Sequence, residues 1–178
     1  YLMGQWTFSV DMYIPNGFAG DAYVILMNTY GNCSGPYGWS SQVHATTNGQ
    51  MVVDNLGNNV AINGDQPVIY DQWVELTIEI DLDLNTVVYS YNDVEMWSGN
   101  WTTSGAIELA AIDLFPGSDD TSEWFVDNVS VTAGIAGGPL GMNYCMANPN
   151  STGATGVMNA TGTKSVANND MTLQGTNL

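Results

Sequence analysis

From Trp73 to Leu84 the chain alternates without a break: Val74, Leu76, Ile78, Ile80, Leu82 and Leu84 interleave with Trp73, Glu75, Thr77, Glu79, Asp81 and Asp83. A pleated strand sends successive side chains to opposite faces, so this period of two predicts one long strand, apolar on one face and acidic on the other. Trp6, Phe8, Val10, Met12 and Ile14 repeat the pattern before Pro15-Asn16-Gly17 turns the chain. Further strands are expected at Asp21–Thr29, Gly38–Ala45, Gln50–Asp54, Val60–Ile62, Pro67–Tyr70, Thr86–Asn92, Val94–Trp97, Ala106–Phe115 and Trp124–Val131. Turn signals separate them, among them Asn48-Gly49, Asn63-Gly64, Asp83-Leu84-Asn85, Asn92-Asp93 and Pro116-Gly117. No window carries a capped 3.6-residue period, so the expected fold is all-β, an antiparallel sandwich or barrel.

Charge narrows the partners. The 178 residues include 18 acids against one base, Lys164, for a formal net charge of -17. Phosphate recognition runs on Lys and Arg clusters, so nucleic acid and anionic membrane surfaces are excluded as partners on this reading. Hydrophobic residues still reach 44% while charged ones make up 11%, a balance that argues for a packed core rather than disorder. No apolar run approaches the roughly 18 residues of a membrane span, and the chain opens on Tyr1, as expected of a mature or partial product. Asn-x-Ser/Thr sequons at Asn32, Asn100, Asn128, Asn150 and Asn159 are candidate glycosylation sites. Cys33 and Cys145 allow one disulfide, which would close a long loop and contribute on the order of 4 kcal/mol in the chain-entropy model. Each instead has the alternative of a partner in another chain. These signs predict a secreted, extracellular or cell-surface location.

Between Ala133 and Gly141 the sequence turns to Gly, Ala and Pro. That shift predicts a domain over residues 1–132, a linker over 133–143, and a segment over 144–178 that is a β extension or the start of a second domain. Weak alternation at Gly156–Val166 and Asp170–Leu173 gives that last segment strands, able to enter a further domain or to add to a sheet edge.

Several spaced segments carry a resemblance: Gln5-Trp6-Thr7-Phe8-Ser9 with Tyr13-Ile14-Pro15, Tyr23-Val24-Ile25-Leu26-Met27-Asn28-Thr29-Tyr30, Asp71-Gln72-Trp73-Val74-Glu75, Ala111-Ile112-Asp113-Leu114-Phe115 and Val126-Asp127-Asn128-Val129-Ser130. Together, from Tyr1 to about Thr132, they resemble a secreted bacterial concanavalin A-like (laminin G-like) jelly-roll module. The resemblance implies a jelly-roll β-sandwich and a non-catalytic appendage. Members of that family carry early strands before the segment that here begins at Tyr1, so the sandwich is expected to lack its first strands and to present an open edge. The segment after Tyr144-Cys145 resembles the start of a small secreted β-domain.

Three constellations bear on chemistry. Laminarinase-type glucanases share the jelly roll and place Glu-x-Asp-x-Glu on one strand; Glu79 and Asp81 match its first two positions, but Asp83 is one methylene short at the third. A retaining pair needs carboxyls ~5 to 5.5 Å apart, whereas residues i and i+4 on one strand lie ~13 Å apart along the backbone. An exposed acidic strand face is the plainer reading. No cofactor is required by these motifs, and calcium is the one candidate. The run Asp81-Leu82-Asp83-Leu84-Asn85 opens like a calcium loop but has Thr86 where the sixth-position Gly belongs, leaving a site assembled from Asp113, Asp119, Asp120 or Asp127. Among the aromatics, Trp6 is expected in the core, and Tyr37, Trp39, Trp97 and Trp101, in or near loops, are candidates for stacking on sugar rings. His44 has no second His and reads as a structural surface histidine.

On these grounds the expected function is a non-catalytic structural or adhesive extracellular subunit, a homo-oligomer or homopolymer joined through β-strand edges. The alternative is a carbohydrate-binding, lectin-like module with extracellular glycans as partners, and a laminarinase-type hydrolase stands third.

Overall fold

The computed structural model describes residues 1–55, 60–117, 123–134, 157–161 and 172–176. Two units make up the chain, Tyr1–Ala133 and Gly134–Leu178.

The first unit contains β1 (Gln5–Tyr13), β2 (Ala22–Tyr30), a 3-10 turn at Asn32–Ser34, β3 (Tyr37–Ala45), β4 (Gln50–Asn55), β5 (Val60–Pro67), β6 (Trp73–Asp81), β7 (Thr86–Tyr91), β8 (Val94–Asn100), β9 (Ala111–Pro116) and β10 (Phe125–Ala133). They form two antiparallel five-stranded sheets, ordered β10-β1-β6-β7-β8 and β5-β4-β3-β2-β9. The unit is a jelly-roll β-sandwich. In the second unit, β11 (Val157–Thr161) pairs with β12 (Thr172–Thr176) as an antiparallel hairpin.

Register places the alternation. Phe8 faces Ile78, Val10 faces Leu76 and Met12 faces Val74 across β1 and β6. These six are buried in the core with Val24, Leu26, Val43, Met51 and Val53 of the other sheet. On the outer face Thr7 pairs with Glu79, Ser9 with Thr77, Asp11 with Glu75 and Tyr13 with Trp73. Burying a Leu or Ile side chain contributes about 1.5–3 kcal/mol, so these paired rows are the main source of the sandwich's stability.

The first strand, β1, is not an open edge. β10 pairs with β1 from Trp6↔Ala133 to Tyr13↔Phe125, with a bulge between Ser9 and Asp11. β1 is therefore an interior strand, bonded on its other side to β6.

Three local expectations are corrected. The long strand ends at Asp81 rather than Leu84, because the Asp81 carboxylate gathers the turn: Oδ1 accepts the backbone N–H of Asp83 (3.0 Å) and of Leu84 (2.9 Å), and Oδ2 accepts Gln5 Nε2 (2.8 Å). Such side-chain-to-backbone bonds compete with the ladder and close a turn, here completed by Asn85 at φ 56°. The turn expected at Asn63-Gly64 is replaced by a continuous β5, whose register against β4 shifts between Met51 and Val53 so that the extra residues are absorbed as a bulge. And β9 begins at Ala111 rather than Ala106, because the preceding loop is held elsewhere. Its Trp101 is fully buried, with Nε1 donating to the Glu108 carbonyl (3.0 Å). The Asn92-Asp93 turn stands as expected, both residues at positive φ (52° and 60°), as a tight two-residue hairpin requires.

Asp81 is 5% exposed. Burial raises its pKa, and the hydrogen bonds from Gln5, Leu84 and Asp83 together outweigh burial and hold it below the ordinary value. Asp81→Ala is expected to destabilise the unit by about 2–4 kcal/mol, since it strips a charged acceptor from three donors. Urea denaturation measures this, and a loss under about 0.5 kcal/mol would show that the turn closes without it.

Candidate functional site

The outer face of the second sheet gathers side chains in rows across its strands. One row runs Phe115, Tyr23, His44, Val52, and the next runs Asp113, Ile25, Gln42, Asp54. Beyond them lie Ala111, Met27 and Trp39, then Tyr30 beside Tyr37. From Tyr23 to Tyr30 this face extends roughly 23 Å at ~3.3 Å per residue. Ile25 and Met27 are each 4% exposed, yet they stand apart from the sandwich core and form the floor of this face.

Two bulges make the face what it is. Leu26 pairs with Ser41, but Met27 pairs with Trp39 and Thr29 with Gly38, so Ser40 is extra on β3 and Asn28 extra on β2. Each extra residue moves the following side chains to the opposite face. Straight alternation from Val43 would send Trp39 and Tyr37 into the core, and from Leu26 it would send Tyr30 there. Instead Trp39, Tyr37 and Tyr30 stand outside at 46%, 50% and 55% exposure.

Asn28 itself turns inward and is 3% exposed. Its Nδ2 shares its hydrogens among the Ala106 carbonyl (2.9 Å), the Ser104 carbonyl (3.1 Å) and Thr102 Oγ1 (3.3 Å), pinning the loop before β9 beside β2. Gly38 makes room for it, since a Cβ there would lie 2.4 Å from Asn28 Oδ1. The Tyr37 hydroxyl donates to the Asn32 carbonyl, fixing its ring at the rim.

Three adjoining hollows result, of ≈ 470, 350 and 450 Å³, and Trp39 lines all of them. The first lies among Asn28, Thr29, Tyr37, Ser104 and Gly105; the second among Asp21, Tyr23, Ile25, Gln42, Asp113 and Phe115. The third takes in Met27, Tyr30, Tyr37, Ile112 and Asp113. Their sizes suit a small ligand or consecutive units of a chain.

His44 sits at one end of this face. Its ring stacks on Tyr23 at 4.5 Å and 6° between planes, and Nδ1 lies 3.8 Å from Asp21 Oδ1, beyond hydrogen-bonding distance and without a partner. Burial pushes its pKa below the ordinary 6.5, an effect that Asp21, Asp54 and Asp65 oppose without cancelling. The imidazole is neutral at neutral pH. Burial likewise raises Tyr23, with Asp21 and Asp54 adding to it.

The sequence-derived candidates divide. Tyr37 and Trp39 are on the groove, and Asp113 joins them there. Trp101 is a core residue, not a loop platform, and Trp97 packs half-buried against Tyr89 (5.8 Å between rings). The triplet Glu79, Asp81, Asp83 is not a strand row: Asp81 is buried in the turn, and Asp83, past the strand end, accepts the Gly4 N–H (3.1 Å). Asp113 lies on β9 and Asp127 on β10, strands of different sheets, while Asp119 and Asp120 lie outside the described residues. Among the described residues no three His, Cys, Asp or Glu side chains converge as a metal site. Cys33, Asn32 and Asn100 are exposed, and Asn128 Nδ2 donates to Asp11 Oδ2 (2.7 Å); Cys145, Asn150 and the side chain of Asn159 lie outside the described residues. Sequence patterning does not single out Tyr23, Tyr30, Gln42, Asp54 or Phe115, which the groove brings together, and it gives His44 only a structural reading.

No protein-family model matches the chain, and no curated protein matches it. A similar solved structure is the alginate lyase AlgAT5 from polysaccharide lyase family 7, with a TM-score of 0.47 and 11% identity over 74% of this chain. The match spans 60% of that chain's length. The expectation of a structural or adhesive subunit joined through strand edges is corrected. Its main motive was a sheet edge left open by missing first strands, and the first strand, β1, is paired on both sides, to β10 and to β6.

His44 supplies a pH test. An unfolded chain protonates it near 6.5, whereas the folded face holds it neutral, so its contribution is intact above that pH and is lost as pH falls toward the depressed folded value. Asp54 and Glu75, both raised chiefly by burial, act in the opposite sense at lower pH. Thermal melts between pH 7 and pH 5 are expected to show a smaller drop in Tm for His44→Gln than for the parent. Equal drops would mean that His44 is protonated in the folded state.

Proposed function

We propose that the first unit is a carbohydrate-binding module that takes a glycan lengthwise along the outer face of its second sheet. The observation that carries this is Trp39, outside the core and common to three adjoining hollows, with Tyr30, Tyr37 and Phe115 exposed around it. Pyranose rings present flat C–H faces that stack on aromatic side chains while their hydroxyls seek acceptors and donors. Asp113, Gln42 and Asp54 stand in one row beside the rings for that purpose. The groove is open along its length, which suits an internal stretch of polymer rather than a chain end.

The abundance of acids and near absence of bases set the expected context. A uronate or sulfated glycan meets Asp21, Asp54 and Asp113 with no Lys or Arg among the described residues, and like charges at close range oppose it. A secreted or surface-attached role follows naturally from such a ligand and is part of the proposal.

Trp39→Ala is expected to weaken glycan binding at least tenfold, about 1.4 kcal/mol, with little change in Tm because the ring is 46% exposed. Calorimetric titration with a panel of neutral, basic and acidic oligosaccharides measures it. Silence across the panel would end the proposal, and undiminished binding by the variant would move the site off this face.

A further inference from the structure

The proposed glycan-binding face carries a charge pattern that narrows its ligand further. Asp21 and Asp113 line the same hollow as Trp39 and Gln42, and Asp113 also lines the neighbouring hollow with Tyr30 and Tyr37. Asp54 ends the row that Asp113 begins. Among the described residues there is no Lys or Arg, and Lys164, the only one in the sequence, lies outside them. Among the described residues no side chain donates a hydrogen bond to Asp113, and the Gln42 amide has no protein partner, so both are available to a ligand. The aromatic rings and the hollows they frame exist independently of these acids, and it is their combination that discriminates.

We propose that the ligand of this groove is a cationic amino-glycan, a chain of sugar units bearing free primary amines. The inference rests on the glycan-binding reading above. A sugar hydroxyl gives a carboxylate an ordinary hydrogen bond, whereas an ammonium gives a charge-assisted one, roughly twice as strong. The same ammonium is attracted to the face of an indole, and Trp39 adjoins both Asp113 and Asp21 in one hollow. A net charge of -17 also draws a polycation toward the surface and hastens encounter. An anionic glycan loses on every one of these counts, and a neutral one gains only the stacking and the neutral hydrogen bonds.

Four oligosaccharides of equal length test it by calorimetry at low salt: a glucosamine oligomer, its fully N-acetylated counterpart, a glucose oligomer and a uronate oligomer. The expected order places the glucosamine oligomer at least tenfold tighter than its acetylated counterpart, with the uronate oligomer silent and the preference shrinking as salt rises. Asp113→Asn is expected to reduce the preference at least threefold while leaving binding of the acetylated oligomer within twofold. Trp39→Ala, which changes no charge, is expected to weaken both oligomers. Asp93→Asn, exposed on the β7–β8 turn of the other sheet, is expected to leave all affinities unchanged. Equal or tighter binding of the acetylated or glucose oligomer overturns the amine preference while leaving the glycan reading intact. A loss in Asp93→Asn equal to that in Asp113→Asn, with Trp39→Ala unaffected, identifies bulk attraction between polyions and overturns it too. No binding by any oligomer overturns the glycan reading itself.

Discussion

The structure rests on the apolar face of β6. It is bonded to β1 on one side and β7 on the other, and it buries Val74, Leu76, Ile78 and Ile80 against the second sheet. Because side-chain period and strand period coincide, a one-residue slip of this strand would turn its acids inward and its aliphatics to water. Its register is thereby fixed, and with it the registers of β1 and of β10 beyond. The same burial makes the second sheet a rigid support, and rigidity is what a groove on its far side requires if it is to present side chains at fixed spacing.

Where β1 and β6 pair in unbroken register in the first sheet, β2 and β3 of the second break it to make a surface. Ser40 and Asn28, the two extra residues, reverse the facing of Trp39 and Tyr37 before the one and of Tyr30 after the other, so that all three leave the core together. The cost of an extra, unpaired strand residue is offset at Asn28 by three hydrogen-bonding partners in the loop before β9. One residue thus turns the strand and anchors the groove's rim.

Much of this is legible in the sequence alone. The alternation at Trp6–Ile14 and Trp73–Asp81 announced the two central strands, and Asn92-Asp93 its hairpin, because local sterics and burial act on the residues themselves. What sequence did not disclose were events set by tertiary partners. Asp81 reads as one member of an acidic row, but its role is decided by Gln5 and by two backbone amides in the turn. Trp101 looks like a loop aromatic, yet the loop folds over and buries it completely. Tyr37 and Trp39 read as exposed from their nearness to loops, whereas the bulge at Ser40 is what exposes them. Tyr23, Gln42 and His44 sit at alternating positions on neighbouring strands, and only the pairing of β2 with β3 brings them onto one face. The acids of that face are scattered between Asp21 and Asp113 in sequence, a separation no short motif spans.

Ligand recognition is proposed for the outer face of the second sheet and not for the acidic face of the first. Mapping amide chemical-shift changes on adding a glucosamine oligomer tests this most directly. The account predicts the largest changes at Tyr23, Ile25, Met27, Gln42, Asp113 and the Trp39 indole, in one continuous track across β2, β3 and β9. Changes centred instead on Asp11, Glu75 and Asp127 of the first sheet, or spread evenly over both, would contradict it.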